Sequence, residues 1–174
     1  MERAHGLAAM GLALDAPYLG PWADKIGRFI LNFGSIELVS YQHLLLLEAT
    51  NDGFLLNIGS KFGRRVDRIK GLLAASSKLS EGERDASINR WDEANEFAKW
   101  RNRIAHNPVL PTWHPGSDAD KDPPDLLGIP DVRQLKKGMI SDSISMELIT
   151  KMVDHSAGLG QRLHEVSAWL RRDV

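Results

Sequence analysis

The sequence predicts an all-α domain: a four- to five-helix up-down bundle with a short irregular or β-hairpin-like insert between the third and last long helices. Three observations carry this. Apolar side chains recur at three- and four-residue steps over four long segments. Proline and turn residues stand at segment ends rather than inside them. Most of the prolines gather in one stretch, residues 107–143. With 174 residues, 43% of them hydrophobic, the chain has the core of a single domain spanning residues 1–174. Residues 1–20 form an N-terminal arm and 107–143 the insert.

The first long helix is expected from about Trp22 to Ala49, with Pro21 where a first-turn proline is tolerated and Asn51-Asp52-Gly53 closing it. Its apolar stripe reads Ile26, Phe29, Ile30, Phe33, Ile36, Ser40, Leu44, Leu47. A second helix covers about Lys61 to Ser77, with Phe62, Val66, Ile69, Leu72 and Leu73 inward and the basic run Arg64, Arg65, Arg68 and Lys70 mostly outward. The third runs from about Glu83 to His106. The fourth spans about Ser145 to Arg171, where Ile149, Met152, Leu159, Leu163, Val166 and Leu170 form a bundle seam with Ser156 at its one missing step.

At about 100° per residue, the third helix has two apolar faces. Ile88, Trp91, Ala94 and Ala98 share one with Asn102, Ala105 and His106; Phe97, Trp100 and Ile104 lie nearly opposite. Such a helix is either central in its own bundle or packed on its bundle with one face and on a partner with the other. Trp91, Trp100 and Trp169 fall at core spacing, so packing is their expected role.

Composition excludes several functions. A formal net charge of -1 argues against a protein that coats nucleic acid nonspecifically, although a local basic pocket is compatible with it. There are no cysteines, hence no disulfides, thiolate metal sites or cysteine nucleophiles. His43, His155 and His164 lack metal-ligand spacing, and no metal or cofactor is expected. No glycine loop for phosphates and no serine-nucleophile elbow is present. No apolar run approaches the roughly 20 residues of a membrane span. Met1 to Ala16 carries Glu2, Arg3, His5 and Asp15, and reads as an arm or short helix rather than a secretory signal, so a cytoplasmic location is expected.

The chemically richest stretch is Arg101-Asn102-Arg103-Ile104-Ala105-His106-Asn107-Pro108. Pro108 pushes Asn107 out of helical geometry, which places His106 at the helix end. A guanidinium, a carboxamide and an imidazole suit a phosphodiester: the first grips the anion, the second orients it, the third moves a proton. Lys99, Arg103, Asn107 and Trp113 are candidate substrate contacts around it. On one regular helix, however, Arg101 and His106 point about 140° apart. Either the last turn unwinds, or a second subunit completes the site. Glu37 lies on the first helix's apolar stripe and needs a partner there; it holds Arg101 or another arginine, or forms a salt bridge at the stripe's edge.

Arg101-Asn102-(three residues)-His106, near the end of the third helix and continued by Asn107-Pro108, resembles the motif of the HEPN superfamily (higher eukaryotes and prokaryotes nucleotide-binding domains). The likeness extends to helix order and to the insert before a long final helix. It implies a helical homodimer in which two motifs meet at a cleft, and a metal-independent endoribonuclease, often a toxin or antiviral effector held in check by an antitoxin. Under it, His106 activates the ribose 2'-OH, Arg101 binds the scissile phosphate, and Asn102 orients His106 or the phosphate. RNA is the implied substrate, cut to a 2',3'-cyclic phosphate and a 5'-OH. The resemblance also admits an inert helical dimer that binds protein or nucleic acid. The rival reading of Arg101 and His106 is a helix C-terminus decorated with cations.

Overall fold

The computed structural model describes residues 19–48, 59–106, 110–113, 116, 124–129 and 142–172. The N-terminal arm to residue 18 and most of the insert, including Asn107, lie outside them. Four helices carry the fold: α1 (Gly20–Leu47), α2 (Phe62–Ala75), α3 (Glu81–His106) and α4 (Met146–Leu170). Three short strands, β1 (Leu110–Thr112), β2 (Leu126–Ile129) and β3 (Asp142–Ser145), lie between α3 and α4. The expected helical bundle with a small insert is therefore present, each helix within two residues of its expected limits.

The helix ends follow local chemistry. Pro21 sits in the first turn of α1. Ser80 and Glu83 form a capping box at the start of α3: the Glu83 N–H donates to Ser80 Oγ (3.3 Å) and the Ser80 N–H to Glu83 Oε2 (3.0 Å). Arg172, just past α4, also donates to Glu83, and this bond, with those from Ser80, holds the carboxyl down at about 2. Ser145 caps α4, its Oγ accepting from the Leu148 N–H (3.1 Å).

Paired residues give the helix directions. Phe33 meets Phe62 and Glu37 meets Arg65, so α1 and α2 run the same way. Asn32 bonds to Val153 O and Ser156 Oγ, and His43 bonds to Leu163 O, so α4 also runs with α1. Only α3 is reversed, with Phe97 against His155, Glu93 against Arg162 and Glu83 against Arg172, so the four described helices do not alternate up and down as expected. Fourteen residues, 48–61, separate the end of α1 from the start of α2.

The reversed helix contacts all three others, as α1 does. Trp91, Ala94, Phe97, Ala98 and Ile104 are buried, which explains both apolar faces of α3 without a partner. Ser156, the missing step in the α4 seam, is a buried polar joint that accepts from Asn32 (3.1 Å) and donates to Val153 O (2.9 Å). Trp91 is fully buried, while Trp100 and Trp169 pack at the core's edge.

The insert goes beyond a hairpin. Its strands form an antiparallel meander, β1-β2-β3, with Pro111 opposite Leu127 and Leu127 opposite Ile144. Pro111 is tolerated because β1 is an edge strand. Leu127 and Ile144, a cross-strand pair, are buried and dock the sheet on the helices.

Among the described helices α1 alone is long and apolar enough to cross a membrane by composition. One face of it is packed in the bundle, burying Trp22, Phe29, Phe33, Ile36, Val39 and Leu44, while Leu31, Leu38 and Leu45 on the other are exposed.

Candidate functional site

The motif occupies the last two turns of α3, where the helix meets the first half of α1 and leads into β1. α3 is electrically polarised. Its first sixteen residues hold six acidic side chains and two arginines; its last ten hold Lys99, Arg101 and Arg103, with no carboxylate. The basic end coincides with the negative end of the helix dipole, where cations are stabilised.

α3 stays helical through His106, so the last turn does not unwind. Arg101 is half-buried, its guanidinium carbon 5.7 Å from the centroid of the Phe33 ring, and its Nη1 donates to Asn102 Oδ1 at 3.0 Å. Asn102 thus orients Arg101, although the wheel alone put it beside His106. His106 stands exposed at the terminal position. Five residues of regular helix separate Arg101 from His106 by about 140° and 7.5 Å of rise, so one chain does not aim both at one atom.

Lys99, Asn102, Arg103 and His106 form an exposed strip, within about 60° of His106 on the helix wheel. Lys99 pairs with Glu96 at 2.5 Å, and the Arg103 guanidinium lies 5.1 Å from the Trp100 centroid. Trp113, at the end of β1, is half-buried. β1 starts four residues after His106, within about 14 Å by chain length. Asn107 lies outside the described residues.

Two expectations need correction. Ala94 and Ala98, on the α3 face that was open to a partner, are buried inside their own bundle; Ala105 on the same face is exposed. Arg65, read as outward, is 2% exposed. Its neighbours at helical spacing, Phe62 and Ile69, are inward, and that spacing outweighed its charge. Glu37 accepts from Arg65 Nη2 at 2.7 Å, which answers which arginine it holds: Arg65 rather than Arg101. Ser40 Oγ accepts from Arg65 Nε at 3.1 Å, the Ser60 carbonyl also accepts, and the guanidinium lies 4.2 Å over Tyr41. The pair is structural, and the signal that could have found it was in the sequence: a carboxylate on one stripe and an arginine on the facing one.

Removing Glu37 leaves a buried guanidinium short of its counter-charge. Because the Glu37 side chain is 31% exposed, water compensates in part, and Glu37→Ala is expected to cost about 2–3 kcal/mol in urea unfolding. If it costs no more than removal of the exposed Glu147, which pairs with Lys151, the Arg65 site is not dependent on its carboxylate.

Sequence reasoning missed Phe33 as the surface on which Arg101 rests. It also missed a chain of polar contacts along α3 and α4, in which Glu93 binds both Arg162 and His155 and Arg90 pairs with Glu165. Among the described residues no group of three metal-ligating side chains comes together.

No family model, curated protein or solved structure matches this chain.

Proposed function

We propose that this chain is a HEPN-type endoribonuclease that cleaves RNA without a metal, a cytoplasmic toxin or antiviral effector restrained by a partner protein. The observation that carries the reading is the Arg101-Asn102-(three residues)-His106 pattern on the exposed basic end of α3, with helix geometry kept through His106. His106 accepts the proton of a ribose 2'-OH. The freed oxygen attacks the adjacent phosphorus, and the bond to the 5'-oxygen breaks. That oxygen takes a proton from water and leaves as a hydroxyl, His106 returns its proton to solvent, and the phosphate remains as a 2',3'-cyclic diester. Arg101, oriented by Asn102 and Phe33, neutralises the charge that builds on the phosphate. Lys99 and Arg103 attract the strand on either side. Because the two catalytic groups diverge within one chain, the working site takes Arg101 from one copy and His106 from another.

A second reading, an inert helical binding module, is favoured by the same divergence and by the intrachain bond between Arg101 and Asn102. Incubating the purified chain with a mixed RNA pool in EDTA separates the two. The wild type is expected to produce cyclic-phosphate ends, with His106→Ala slower by about 10²- to 10⁴-fold. No cleavage, or equal cleavage by both proteins, overturns the enzyme and leaves the binding module.

A further inference from the structure

Asn95 faces the bundle without a partner. It lies about 40° from the fully buried Trp91 on the α3 wheel and is itself half-buried. Among the described residues its amide makes no hydrogen bond. An amide withdrawn from part of its water, with neither donor nor acceptor used, is stabilised only when something pairs with it. The start of α2 borders it. Lys70 pairs with Asp92 at 2.5 Å, and a Cβ on Gly63 would stand 3.7 Å from Asn95 Oδ1. α2 therefore runs back along α3 and begins level with Asn95. Past that level α3 continues for about three turns, uncovered by α2. Asn95, Asn102 and His106 fall within about 40° of one another on the wheel, and the last two are exposed. Gly63 is the second residue of α2, where a glycine weakens the helix. Its missing side chain leaves the approach to the Asn95 amide open.

We propose that Asn95 reads the base of the nucleotide whose phosphate Arg101 and Asn102 hold, and that this base is adenine. Placing the phosphate there rests on the ribonuclease reading. Asn102 Oδ1 accepts from Arg101 Nη1, so the Asn102 NH2 group remains to donate to a phosphate oxygen. Asn95 stands seven residues back, about 10.5 Å along the axis and about 20° around it. That is the reach of a purine nucleotide from its phosphate to the far edge of its base. A pyrimidine, one ring shorter, ends nearer the sugar. The amide offers one acceptor beside one donor. Adenine answers both: its N6 amino group donates to Oδ1, and its N7 accepts from Nδ2. Guanine presents two acceptors on that edge and sets its O6 against Oδ1. A single strand leaves such edges free to be read.

The full chain and short RNAs suffice for the test. Hexamers with 2'-fluoro sugars lack the attacking hydroxyl, so fluorescence anisotropy reads binding alone. A uridine hexamer with one central adenosine is expected to bind about 10-fold more tightly than those with central cytidine, guanosine or uridine. Placing 7-deazaadenosine at the centre removes the N7 acceptor and is expected to abolish most of that gain. Asn95→Ala is expected to remove the preference. Gly63→Leu, which lays a side chain over the amide, is expected to do the same. The 7-deazaadenosine arm involves no variant, so it decides even where a substituted chain fails to fold. Equal binding of the four hexamers, a preference for another base, or an undiminished 7-deazaadenosine complex overturns the assignment. Cleavage of all-ribose hexamers is read separately. Adenine-selective binding without cleavage keeps the base site and removes the enzyme; cleavage without base preference keeps the enzyme and removes the base site.

Discussion

Mixing Arg101→Ala protein with His106→Ala protein is expected to restore RNA cleavage that neither supports alone. The reason is the geometry of α3. It remains a regular helix to its last residue, and its arginine leans over Phe33 while its histidine stands on the exposed strip beyond. A site that takes one group from each copy has an intact half whenever the two variants pair, since the His106→Ala chain supplies Arg101 and the Arg101→Ala chain supplies His106. Random exchange makes about half the pairs mixed, each with one complete site of two, so the equimolar mixture is expected to reach about a quarter of the wild-type rate. Cleaved cyclic-phosphate ends per unit time, with each variant alone as background, give the measurement. A mixture no more active than its components removes the composite site, whatever the wild type does alone. The double variant added to wild type gives the reverse check, because its mixed dimers have no complete site and the rate falls.

The motif was legible because its residue types are uncommon together and because Pro108 fixes where the helix ends. Its reach was not. Periodicity gives angles around one helix, and it correctly separated Arg101 from His106, but it does not say which neighbouring helix receives each face. Two apolar faces on α3 were therefore compatible with a partner or with a central position, and the contacts of Trp91, Ala94 and Phe97 within the chain select the second. The same blindness hid Arg65, where a charged residue at apolar spacing was sorted by its charge. Leu31, Leu38 and Leu45 fall outside the apolar stripe of α1 and stand exposed. The insert was under-read because its strands are three or four residues long and pair only through a chain reversal between them.

His43 shows how a buried polar residue sets the acid limit of the fold. It is wholly buried on α1, accepting at Nδ1 from the Trp91 indole N–H (3.2 Å). Nε2 therefore carries the proton and donates to Leu163 O (3.1 Å), with Ser167 Oγ at 2.9 Å. Burial is the main cause that lowers its pKa from 6.5 to about 4; the bond to Leu163 opposes the fall, and the positive fields of His164 and Arg171 add to it. A second proton on Nδ1 would set N–H against the Trp91 N–H. Above pH 6.5 the imidazole is neutral in both folded and unfolded chains, and it adds no pH dependence. Between 6.5 and about 4 the unfolded chain binds a proton that the folded chain refuses, so stability falls as the pH falls, by about 1.4 kcal/mol per unit and about 3 kcal/mol in all. Below about 4 both states are protonated and this contribution is flat. The carboxyls of Glu48, Glu83 and Glu147 are all held below their ordinary range by arginine or lysine partners, which moves their own titration toward the acid side of this window. Urea midpoints measured from pH 7.5 to 4.5 are expected to decline for the wild type and to decline much less for His43→Gln, whose side chain keeps an acceptor for Trp91 and takes up no proton. Equal slopes for the two proteins would mean that His43 is not the group refusing the proton.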